Sequence, residues 1–200
     1  MYNFKKNTPI KEGDTLRIGG IDWIVYAAPR GALVQCIAAE SLEKRPFDRA
    51  QVNIFSRSEL RSYLNNEFFK EIIGCEATEK AFRCLKISTE CAYDAGHFRT
   101  AHCRIGLLTC EEYKKFSKNI PPLSEPWWTM TPSTQNGGIV QVVFPDGAVR
   151  PVRVEDGNVG VRPVCRINLY EIERSAVVQD IANAMRRYNI SAKDIETLIA

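Results

Sequence analysis

The 200-residue sequence has no run of about 18 apolar residues, so nothing in it reads as a membrane-spanning helix. Its first residues, MYNFKKNTPIKEGDTL, lack the apolar core of a signal peptide. The expectation is a cytoplasmic protein, or one associated with a virion. Charge of one sign is also missing. Twenty-seven basic and 24 acidic residues leave a net +3 with no long single-sign block. Neither nucleic acid nor a membrane surface is therefore an expected partner. There are seven cysteines but no CxxC pair, and the number is odd. Reduced thiols follow more simply than a disulfide framework. No nucleophile elbow, Walker loop, dinucleotide glycine fingerprint or HExxH occurs, so no catalytic residue, metal or cofactor is assigned.

Hydrophobic alternation and punctuation supply a framework. Leu16, Ile18, Ile21 and Trp23 alternate around Gly19-Gly20, which predicts an opening β-hairpin over 15–28 with Trp23 inside. A third strand is expected over 32–38. Residues 40–52 are polar and irregular. Residues 56–73 carry helical spacing at Leu60, Tyr63, Leu64, Phe68 and Ile72, with Ser56 as N-cap, Glu59 completing a capping box, and Asn65-Asn66 as a kink. A short helical turn is expected over 77–82. Leu107 to Thr109 reads as a short strand, and Thr109 with Glu112 as the capping box of a helix over 110–117.

The stretch from Trp127 to Leu169 carries the densest pattern. Two adjacent tryptophans meet a polar loop, Ser133 to Gly138. Two apolar runs, 139–144 and 148–154, flank a Pro145-Asp146-Gly147 turn, and Gly160-Val161-Arg162-Pro163 leads into a last β-like run. After Leu169, Val177, Ile181, Ala184, Met185 and Tyr188 share a helical face, and Ser191 restarts a short helix. This helical hairpin tail is too small to bury its own stripe. It either docks on a second copy or partner, making a homo-oligomer through residues 171–200, or folds back on its own domain.

Four segments occur in a telling order: SELRSYLN (58–65), LTCEEY (108–113), WWTMTPS (127–133) and GVRP (160–163). In this order the chain resembles the DUF6273 family of bacteria and phages across Thr15 to Leu169. The resemblance implies an α+β domain with a C-type-lectin-like fold, shared with formylglycine-generating enzymes: two helices and a small, curled, mostly antiparallel sheet. It implies that the WW and GVRP segments pack near one another. Residues 1–169 would form this domain, and 170–200 the tail that lies outside the family pattern.

Within that scaffold the residue types narrow the chemistry. Glu125-Pro126-Trp127 does not assemble the oxygen donors of a calcium-dependent sugar site. Cys165, a single late cysteine, cannot form the reactive pair of the formylglycine-generating enzymes. Cys91, His97, His102 and Cys103 are chemically suited to zinc, but they lack knuckle spacing, and adjacent His102 and Cys103 point apart in a strand. Arg162 reads as a buried structural arginine paired with an acid. Trp127, Trp128, Thr131, Ser133, Gln135 and Asn136 form the candidate ligand surface, because aromatic rings beside an adaptable polar loop suit recognition. The competing reading makes one or both tryptophans core. The expected function is a non-enzymatic binding module for a protein or glycan, associated with a phage or mobile element. Its rivals are a metal-dependent modifying enzyme on the same scaffold and a structural assembly component.

Overall fold

Glycine places the first turn. In a computed structural model, Gly19 and Gly20 lie at φ +61° and +78°, joining β1 (Thr15–Ile18) to β2 (Ile21–Ala27). Left-handed backbone of this kind is open to glycine without a Cβ penalty. The described residues are 10–28, 32–73, 76–89, 99–133, 137–174, 183 and 187. β3 (Leu33–Ala38), the expected third strand, pairs antiparallel with β2.

The long amphipathic segment forms a helix in three parts. α1 (Glu59–Tyr63) runs into a π-helical turn (Leu64–Phe68) and then α2 (Phe69–Ile73). The start differs from expectation. Phe55–Arg57 is a 3₁₀ turn and Ser58, not Ser56, caps α1, its hydroxyl accepting from the Arg61 N–H at 3.2 Å. A tertiary contact decides this. The buried Asp48 carboxylate accepts from the Glu59 N–H at 2.9 Å, and Leu60 N–H donates to the Phe47 carbonyl at 3.1 Å, fixing the first turn two residues further along the chain. The kink at Asn65-Asn66 is the π turn.

α3 (Glu76–Ala81) agrees with the short helix expected there and leads into β4 (Phe82–Arg83). β5 (Leu85–Thr89) and β6 (Arg99–Cys103) form a separate antiparallel pair, and β7 (Ile105–Gly106) follows. Leu107 to Thr109 is not a strand. Leu107 and Leu108 are buried, and Leu108 accepts a hydrogen bond from Met130 N–H, but Thr109 is already the cap of α4 (Cys110–Phe116). The capping box is complete: Thr109 accepts from the Glu112 N–H, and Glu112 accepts from Thr109.

β8 (Trp127–Pro132), β9 (Ile139–Val143) and β10 (Val149–Arg153) make a three-stranded antiparallel sheet, with Gly147 at φ +77° in the β9–β10 turn. β11 (Val164–Asn168) returns to the first sheet between β3 and β4, and its β4 side is shared with β7. Among the described residues every strand ladder is antiparallel, so the fold is α+β with a curled antiparallel sheet and few helices. Residues 160–163 sit outside every ladder. They reach the 38–45 segment by single bonds: Leu42 N–H to Val161 O, Val161 N–H to Glu43 O, and Ala38 N–H to Pro163 O. Proline has no N–H to donate, which helps to keep this segment out of a regular ladder.

The main sheet is apolar on both faces. Trp23, Val25, Val34, Cys36, Cys165 and Ile167 join one core with α1, α2, Trp128 and Val142. Ile24, Tyr26, Ile37 and Val164 join a second core with Leu108, Ile120, Trp127 and Val143. The period of two along each strand sends alternate residues to opposite cores. Residues 169–174 are helical, and Ile172 is buried in the first core, so the chain remains anchored just beyond Leu169. The rest of the hairpin tail lies outside the described residues, apart from Asn183 and Arg187.

Candidate functional site

Trp127 and Trp128 are consecutive in β8, so their indoles leave opposite faces of the strand. Trp128 is fully buried against Phe47, with ring centroids 5.6 Å apart, and its Nε1–H donates to the Arg45 carbonyl at 2.9 Å. Trp127 enters the other core, edge-on to Tyr113 at 5.4 Å. Alternation along a half-exposed strand would bury only one of them. Both are buried because β8 is covered on both sides. A ligand could stack on either indole only by displacing packed core residues.

The segment 160–163 locks this pair in place. Gly160 N–H donates to Pro126 O at 2.8 Å, and Trp128 N–H donates to Gly160 O at 3.0 Å. A Cβ on Gly160 would run into the Ser41 hydroxyl and press on the Pro126 carbonyl, so a larger residue here would force the Ser41 side chain to move. Arg162 is fully buried, its guanidinium 5.4 Å from the Trp127 ring. An acid partner was expected; instead Nε donates to Ala38 O at 2.9 Å, Nη1 to Pro121 O at 2.8 Å and Nη2 to Ala39 O at 3.3 Å. Desolvation pushes its pKa down to about 10, against the opposing charge of Glu40, so it stays charged at neutral pH. It ties the end of β3 to the Pro121 segment beneath Trp127.

Thr131 is half-buried and structurally engaged, its hydroxyl accepting from the Cys110 N–H at 2.9 Å at the start of α4. Ser133 is half-buried, and its N–H donates to Ile139 O at 2.9 Å, closing the loop between β8 and β9. On the far side Val154 N–H donates to Gly138 O at 3.0 Å. Gln135 and Asn136 lie outside the described residues.

The irregular segment 48–53 approaches this loop. Asp48 holds residues 48–53 through the N–H donors of Ala50 at 2.8 Å and Val52 at 3.0 Å, and ties them to the start of α1 through Glu59 N–H at 2.9 Å. Gln51 takes φ +63°, and a Cβ added at Gly138 would come into van der Waals contact with it. Asn53 Nδ2–H donates to Ile139 O at 3.4 Å. Exposed Gln51 and half-buried Asn53 therefore share an edge with Ser133 and Gly138. The signal in the sequence is an aspartate two residues before a small residue, an Asx-turn pattern too common to single out.

Of the four residues considered for zinc, Cys91 and His97 lie outside the described residues. His102 is exposed and Cys103 buried, pointing apart as adjacent strand residues must. Burial pushes the Cys103 thiol up to about 12. Among the described residues, no three of His, Cys, Asp and Glu are grouped to hold a metal ion. No described helix is long and apolar enough to cross a membrane. No family model, curated protein or solved structure matches the chain.

Proposed function

We propose that this chain is a binding module that presents the loop between β8 and β9, together with residues 50–53, to a protein or glycan ligand. The observation that carries the reading is the anchoring of that loop. It is closed at Ser133–Ile139, tied at Gly138–Val154, and rooted in a β8 strand whose two tryptophans fill opposite cores. Rigid strands holding a short polar loop are the usual arrangement for recognition, because the frame absorbs little of the ordering cost on binding. The ligand-facing groups would be Ser133, Gln135 and Asn136, with Gln51 and Asn53 at the edge. Trp127, Trp128 and Thr131 would anchor the strand that leads into the loop. The ordered segments shared with the DUF6273 family and a C-type-lectin-like architecture are part of the same proposal, as is assembly through residues 171–200.

The test is a glycan array and a defined panel of surface proteins, probed with wild type and with a Ser133→Ala, Gln135→Ala, Asn136→Ala triple variant. The expected result is a ligand retained by wild type and lost by the variant at unchanged melting temperature. A ligand bound equally well by both would place recognition elsewhere on the molecule.

A further inference from the structure

Five cysteines among the described residues are free, and they divide sharply by environment. Cys36, Cys103, Cys110 and Cys165 are buried, and Cys84 is exposed. Cys84 lies between β4 and β5, where the chain passes from the main sheet into the separate hairpin. That hairpin sets Lys86 opposite His102. The register brings the His102 imidazole back over the junction, with Nδ1 3.3 Å from Cys84 Sγ. The Leu85 carbonyl is a more distant acceptor for the same thiol, at 3.7 Å. His102 does not hang free on its strand. Its carbonyl accepts from Arg61 Nη2 at 2.9 Å, which ties β6 to α1 and fixes where the ring starts from.

We propose that Cys84 and His102 form a nucleophilic thiol–imidazole pair, and that Cys84 takes up small disulfides by exchange. A nucleophile within hydrogen-bond reach of a base is the minimum for an activated thiol. With Nδ1 unprotonated, the imidazole takes the thiol proton as Sγ attacks one sulfur of the incoming disulfide. The disulfide bond breaks and a mixed disulfide forms at Cys84. The departing thiolate recovers the proton from the imidazolium and leaves as a thiol. The Cys84 sulfur is oxidised and the leaving sulfur reduced, so the small disulfide supplies all the oxidising power. Cys103, next to His102 in sequence, is excluded by burial. The pair shares no residue with the β8–β9 loop, and it stands whether or not that loop binds a ligand.

Oxidised glutathione is the probe, added to the folded full-length protein, with each cysteine followed by peptide mass spectrometry over time. Cys84 is expected to gain one glutathionyl group while Cys103 remains unmodified until the protein is unfolded. His102→Ala should slow Cys84 modification about a hundredfold, the lower end of what a positioned base contributes. Because His102 is exposed, the melting temperature should hold. His102→Gln, which keeps a polar side chain without a base, should be as slow as His102→Ala. An unmodified Cys84 in the native protein overturns the proposal. So does an equal Cys84 rate in wild type and both variants, which would make it an ordinary surface thiol.

Discussion

Asn65 uses both ends of its carboxamide as a joint. Nδ2–H donates to Arg61 O at 3.0 Å and to Ile105 O at 2.8 Å, while Oδ1 accepts from Arg104 N at 2.8 Å and Ile105 N at 3.1 Å. The π turn supplies the extra residue that aims this side chain at β7. Asn65→Ala leaves several main-chain groups without partners and should cost about 2–3 kcal/mol in urea unfolding. Trp128→Ala removes a whole indole from a sealed core and should cost about 3–5 kcal/mol by the same measurement. Buried acids of high pKa add a pH dependence. Desolvation raises Tyr26 above the usual tyrosine range, and it raises Cys165, which also contacts Cys36. It pushes Cys103 and Tyr63 up to about 12 each. These groups keep their protons when folded but lose them in the unfolded chain near the ordinary values of 9.0 for thiols and 10.0 for tyrosines. The unfolded state then binds fewer protons, so stability falls as pH rises above 9.0. Arg162 works in the opposite sense, but only above about 10. Melting temperature should therefore be highest below this range and decline from pH 9.0 upward, more gently in Cys103→Ala.

At the scale of elements, the turn between β1 and β2 shows how two adjacent glycines serve different ends. A Cβ on Gly19 would collide with the backbone of Ile72, whereas one on Gly20 would meet open space. Gly19 is thus the point where the hairpin seats against the end of α2, and Gly20 answers only to turn geometry. Gly20→Ala should cost about 1 kcal/mol from its positive φ alone. Gly19→Ala carries the same strain plus a main-chain clash, and its melting temperature should fall clearly further. Equal losses would show that the α2 contact does not constrain the turn. The segment 160–163 is a second such seat. It is no strand, yet five hydrogen bonds of Gly160 and Arg162 join the start of β8 to the end of β3 and to the Pro121 segment: Gly160 N, Trp128 N, and three from the guanidinium.

Across the whole molecule, the readable features were those with local causes. The hairpin over 15–28, the Thr109–Glu112 capping box and the turn at Gly147 each depend on residues within a few positions of one another, and each is present. The features that escaped depend on distant chain. Asp48 moved the start of α1 from Ser56 to Ser58, and main-chain carbonyls of Ala38, Ala39 and Pro121 took the place expected for an acid beside Arg162. The tryptophan pair is the sharpest case. Alternation says that neighbours in a strand face opposite ways, but it cannot say that both sides of β8 are covered. The candidate site shifts accordingly, from the indoles toward the closed loop and the neighbouring residues 50–53. Acrylamide quenching of intrinsic fluorescence tests that shift directly, because Trp23, Trp127 and Trp128 are the chain's three tryptophans. The structure predicts uniformly weak quenching in the native protein, rising several-fold on unfolding, since all three are buried. A native fraction quenched as readily as free indole, and still present in a Trp23→Phe variant, would put Trp127 or Trp128 at the surface and contradict the account.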